Sequence, residues 1–165
     1  MLFRSTKQIT IGYKGRIAIN LKISVRDSAH ASAPWLAKNA IEESSLFVNE
    51  IKAKLESGQE NKTKGMMLTA TITEIKGGLS HNVTPRECDS TLDIRIPVGT
   101  SCKSVEEKIS EVVKEISKKQ QVEAFYSIID ETEPFEAEHN SPLVRALTLG
   151  ILDIEKNRPT LIRKT

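Results

Sequence analysis

The chain has 165 residues, of which 38% are apolar and 28% charged, and its 24 basic and 22 acidic residues leave a net charge of +2. So even a balance, spread along the chain, supplies no electrostatic footprint for nucleic acid or anionic lipid, and the longest apolar run falls far short of the about 20 residues that span a bilayer. The opening MLFRSTKQIT lacks the apolar core of a secretory leader, and Cys88 and Cys102 alone do not make a disulfide framework, so we expect a cytoplasmic protein with one core and neither nucleic acid nor membrane as partner.

Between Arg16 and Asp27 the residues Ile17, Ile19, Leu21, Ile23 and Val25 alternate with Ala18, Asn20, Lys22, Ser24 and Arg26, which predicts a strand with one buried face. Ser32 as N-cap and Pro34 in the first turn then predict a helix from about Pro34 to Leu55, with Ala37, Ala40, Ile41, Ser44, Val48 and Ile51 at helical spacing. After the polar loop SGQENKTKG, a second strand runs from about Met66 to Ile75, with Leu68, Ala70 and Ile72 alternating with threonines, and ends at Gly77-Gly78. Cys88, Leu92, Ile94 and Ile96 mark a third strand, closed by Pro97 and Gly99. Ser104 and Glu107 suggest a capping box for a second helix whose apolar face is Val105, Ile109, Val112, Val113 and Ile116, and Val122 to Ile129 gives a fourth strand.

That order predicts an α+β fold of the ferredoxin-like βαββαβ type, a four-stranded antiparallel sheet with two helices on one face and a polar open face on the other. Residues 1–132 form this domain, and 133–165 read as a linker, a short helix with Leu143, Leu147, Ile151 and Ile154, and the beginning of a strand. A helix with an apolar stripe and no following partner suggests a chain cut short.

Motifs of self-contained enzymes are missing: there is no HExxH, CxxC, P-loop or GxSxG. Gly77-Gly78 reads as a turn, Glu42-Glu43 and Glu106-Glu107 as solvated helix surface, and Cys88 as a buried, inert thiol. The triplets headed by Asn61 and Asn82 would be glycosylated only in a secreted protein. Three places stand out: His30, among small residues at the exit of the first strand, Asn82 in HNVTP, and Asp93 with Arg95 on the outward face of the third strand.

The motifs GYKGR (12–16), HASAP (30–34), NAI (39–41), NVTP (82–85) and DIRIP (93–97), with SPLVRAL further on, resemble the smaller domain of the co-catalytic zinc metallopeptidases and deacylases. That family includes acetylornithine deacetylase, succinyl-diaminopimelate desuccinylase, aminoacylase and glutamate carboxypeptidase. The segment RPTLIRKT (158–165) is most similar to the lysine and ornithine biosynthetic hydrolases that release the amino acid from an amino-group carrier protein. The resemblance implies a dimerisation and lid domain inserted in a larger catalytic domain, acting as a homodimer on a small-molecule or carrier-linked amino acid. It implies that His30 crosses the dimer interface and stabilises the oxyanion in the partner's active site, and that Asn82 and Arg95 contact substrate, with Asp93 orienting Arg95. A planar guanidinium suits a carboxylate, and an imidazole N–H suits developing negative charge.

Two zinc ions are expected in the complete enzyme and none in this chain, because the histidine-x-aspartate pair, bridging aspartate, glutamate pair and final histidine that would hold them are not in this sequence. The competing reading is a free-standing small-molecule regulatory module on the same fold. An RNA-binding module would need aromatic residues on the open sheet face, and the outward positions of the first and third strands have none.

Overall fold

The computed structural model describes residues 7–164. Its main sheet has four antiparallel strands in the order β3-β4-β2-β5: β2 (Gly15–Ser24), β3 (Thr69–Gly77), β4 (Glu87–Ile96) and β5 (Glu123–Thr132). Helices α1 (Ala40–Glu56) and α2 (Cys102–Gln120) cover one face, so the expected βαββαβ architecture holds. Alternation sets the register. Ile17, Ile19, Leu21 and Ile23 of β2 lie opposite Ile94, Leu92, Ser90 and Cys88 of β4, and all eight are fully buried. Each aliphatic side chain so buried stabilises the fold by about 1.5–3 kcal/mol. Phe47, Val48 and Ile51 of α1 and Val105 and Ile109 of α2 complete this core. The buried Ser44 and Ser90 hydroxyls meet at 2.7 Å and satisfy each other.

Both helix starts differ from expectation. Pro34–Leu36 forms a separate 3-10 turn, and α1 begins after Asn39, whose side chain accepts from the Ile41 N–H at 3.0 Å. Ser32 is therefore no cap. Ser101 rather than Ser104 caps α2, accepting from the Ser104 N–H at 3.2 Å, so no Ser104–Glu107 capping box forms. Glu43 is not solvated surface: its carboxylate pairs with Lys38 at 2.9 Å, and its Oε2 is buried with no bonding partner. In β3 a bulge between Ile72 and Glu74 slips the alternation, and Ile72 and Ile75 stand 41% and 47% exposed along this edge strand, where Ile72 was expected to be interior. On the open face Asn20, Lys22, Thr71, Thr91, Asp93 and Arg95 are joined by one exposed aromatic, Phe125, opposite Lys22.

The chain's two ends meet in a second sheet of order β6-β1-β7, made of β1 (Gln8–Tyr13), β6 (Phe135–Glu136) and β7 (Thr160–Lys164). β1 pairs parallel with β7 and antiparallel with β6. The expected C-terminal helix is α3 (Pro142–Glu155), and β1 gives it the partner that the sequence pattern does not reveal: Val144 and Ile151 pack on Ile9, Ile11 and Leu161. Leu143, Leu147 and Ile154, expected on the packed stripe, are exposed. No helix among the described residues is long and apolar enough to cross a membrane.

Candidate functional site

Two loops leave the same end of the main sheet, residues 25–39 after β2 and residues 78–86 before β4, and hydrogen bonds lace them together. The Val25 N–H donates to Arg86 O at 2.9 Å, the Thr84 N–H to Ala29 O at 2.8 Å, and the Ala31 N–H to Asn82 O at 2.8 Å. The Thr84 hydroxyl, buried, accepts from the Ala29 N–H at 2.8 Å. His30 and Val83 thus form an isolated antiparallel bridge, and the small Ala29, Ala31 and Ala33 let the two backbones approach. Gly78, at φ +83°, makes the turn that brings the second loop back.

This lacing sets the imidazole of His30 beside the amide of Asn82, with Nε2 and Nδ2 3.4 Å apart. The other ring nitrogen faces Ser32, 2.8 Å from its hydroxyl and 3.2 Å from its backbone nitrogen. Asn82 is turned by Ser80, whose hydroxyl donates to Oδ1 at 2.7 Å. His30 is exposed, so this paired imidazole and amide face outward. Beside the loops a groove of about 1100 Å³ is lined by Arg26, Ser28, Gly77, Thr84, Arg86 and Gln121, among others.

Arg95 lies elsewhere. Eight residue steps of β4 separate it from Glu87, about 26 Å at about 3.3 Å per residue, so the structure joins His30 to Asn82 and sets Arg95 at the opposite end of the sheet. Asp93 does orient Arg95, accepting from its Nε at 2.6 Å and its Nη2 at 3.3 Å. Sequence reading missed Arg16, whose Nε donates to the same carboxylate at 2.6 Å and whose Nη1 reaches Asp130. The bond to Asp93 holds the Arg16 guanidinium above its ordinary range. The register signals this contact, because Arg16 pairs directly with Arg95 and shares its face. Lys14, donating to Met67 O at 2.7 Å, is lowered by burial and then by the Arg95 charge.

Among the described residues one group could gather around a cation: Cys102, Glu131 and Glu133, whose ligand atoms lie within 4.8 Å of one another. The group does not fit a co-catalytic zinc pair. Both Glu133 oxygens accept from the Cys102 N–H at 3.1 Å and so cap α2, while burial, then Glu133, pushes the Cys102 thiol up to about 11, far from the thiolate a metal needs. It contains no histidine: His30 faces Ser32 and Asn82, and His139 lies 3.3 Å from Glu136.

A LysW-lysine/LysW-ornithine hydrolase of Saccharolobus islandicus is 28% identical over 158 residues, 94% of this chain and 40% of that protein. A protein of Pyrobaculum aerophilum provisionally given the same name is 30% identical over 156 residues, with the same coverage of 94% and 40%. The chain thus spans about 40% of the length of these curated relatives. Among solved structures, a tripeptidase of Staphylococcus aureus superposes with a TM-score of 0.76 at 18% identity, covering 95% of this chain and 40% of that one. The aminopeptidase PepT of Bacillus cereus follows at 0.74 and 18%, covering 96% and 40%, and both likenesses concern the fold. The profile described as the peptidase dimerisation domain matches residues 11–121, two thirds of the chain, and the chain belongs to that family.

Proposed function

We propose that this chain is the dimerisation and lid portion of an amide-cleaving hydrolase that releases lysine or ornithine from an amino-group carrier protein, a place in lysine or arginine biosynthesis. His30 and Asn82 supply hydrogen-bond donors to the scissile carbonyl as its oxygen gains charge, and Arg95, held by Asp93, pairs with a substrate carboxylate. The observation that carries this reading is the separation: the donors sit on loops at the Glu87 end of β4 and the guanidinium near its other end, with about 26 Å of strand between Glu87 and Arg95, too far to meet on one amino-acid-sized substrate from a single subunit. In a twofold homodimer one subunit would give a site its His30 and Asn82, and the other its Arg95. The zinc expected in the complete enzyme has no fitting residues here and belongs, in this reading, to other segments of a longer polypeptide.

Subunit mixing in the complete enzyme tests it. His30→Ala and Arg95→Ala homodimers should each lose activity, by roughly a hundredfold for His30→Ala. In their heterodimer one site loses both groups while the other keeps both. An equal, fully exchanged mixture should recover roughly a quarter of the wild-type activity. Demonstrated subunit exchange without recovery would show that the two zones serve the same subunit's site.

A further inference from the structure

We propose that Ser32 is a positioning residue that fixes the neutral His30 ring in the tautomer with its proton on Nε2. A backbone N–H can only donate, and the Ser32 N–H points at His30 Nδ1 from 3.2 Å, so Nδ1 presents its lone pair. With Nδ1 accepting, the Ser32 hydroxyl 2.8 Å away can only donate to it, and a neutral imidazole with an accepting Nδ1 carries its hydrogen on Nε2.

Across the ring the consequence is chemical. Because Ser80 occupies Oδ1 of Asn82, the amide turns its NH₂ toward Nε2, 3.4 Å away, and two donors cannot bond each other. Both N–H groups are left for a third atom, and their spacing suits a single oxygen bearing negative charge. The opposite tautomer would aim a ring lone pair at that oxygen and repel it. This inference rests on the proposed oxyanion role of His30, but its test reads the ring itself, so it can fail while that role stands.

The experiment is long-range ¹H–¹⁵N correlation NMR on the ¹⁵N-histidine-labelled 165-residue chain, above the pH at which the ring protonates. Signals of His30, His81 and His139 are assigned by single replacements with glutamine. Wild-type His30 should show a protonated Nε2 and a bare Nδ1. Ser32→Ala keeps the amide but loses the hydroxyl, and the minor Nδ1–H form should rise roughly fivefold, the population equivalent of one ordinary hydrogen bond. Ser32→Asp supplies a permanent acceptor and should invert the preference. An Nδ1–H ring in the wild type, or the same tautomer ratio in wild type and Ser32→Ala, would overturn the proposal. Backbone amide spectra of the core verify that the variants are folded, and a merely structural role for Ser32 would leave the ring shifts where they are.

Discussion

Replacing Thr84 by valine should loosen the two-loop platform without emptying any space. The side chains have the same shape, so the change isolates one bond, from the Ala29 N–H to the Thr84 hydroxyl at 2.8 Å. Ala29 and Thr84 are only 7% and 8% exposed, so water cannot replace the lost acceptor. A buried donor left without a partner costs about 1–3 kcal/mol. For a chain of this size each kcal/mol lowers the melting temperature by about 2–4 °C, so the transition should fall by roughly 2–12 °C in circular dichroism. Hydrogen exchange localises the effect: the Thr84 and Ala31 amides, which bond Ala29 O and Asn82 O, should exchange faster, while those of β2 opposite β4 should follow the global change only. A melting temperature within 1 °C of wild type, with unaltered exchange at Ala31, would refute the idea that this bond holds His30 against Asn82.

Other outcomes follow from the same physics. Ile72→Lys and Ile75→Glu place charge on the exposed edge of β3 and should weaken self-association in sedimentation by tenfold or more if that edge pairs with a second copy, and leave the monomer's melting nearly unchanged. Cys88 and Cys102 are buried, and the Cys102 thiol is pushed up to about 11, so neither should react with a disulfide reagent near pH 8 until the chain is unfolded; fast labelling of the folded protein would contradict the packing. Glu136 is held below the ordinary glutamate range, first by its bond to Arg163 and then by His139. A lowered carboxyl stabilises above its unfolded value, and that contribution fades as pH falls through the lowered folded value, so β1 and β7 amides should lose exchange protection only below the ordinary glutamate range. Unchanged protection there would show that the Glu136–Arg163 pair contributes nothing to the second sheet.

The main sheet was legible because one-sided burial writes a period of two into β2 and β4, and a single face writes a 3.6 period into α2. Legibility failed where the signal is not periodic. Ser32 and Ser104 have the chemistry of caps, yet Asn39 and Ser101 hold those places, because a cap is chosen by where the backbone turns rather than by side-chain type. Ile72 and Ile75 both pair with inward residues of β4 yet stay half open because β3 is the edge strand, and neither the edge position nor the bulge after Ile72 leaves a compositional mark. Residues 8–13 alternate too briefly to predict β1, whose partners lie some 125 to 150 residues away. At the site, His30, Asn82 and Arg95 stood out as residue types, but the sequence could not show that two of them touch and the third is remote. Arg16 was invisible as a partner of Asp93 until the register of β2 and β4 was fixed.

The two sheets are joined by very little chain. Lys14 alone separates β1 from β2, and Glu133-Pro134 alone separates β5 from β6. The crossings touch: a Cβ on Gly15 would fall 2.6 Å from Pro134 N and Cδ and 2.7 Å from Thr132 O, so no other residue fits without moving the proline. A double strap this short behaves like a door leaf on two adjacent pins. Two crossings this close together would confine any swing of the four-stranded layer to the line through Lys14 and Pro134. Any swing also carries the His30 end and the Arg95 end through unequal arcs, because Arg95 lies beside the strap and His30 at the far end of the sheet. Opening would sweep the donors widely while the guanidinium stays close to the pivot.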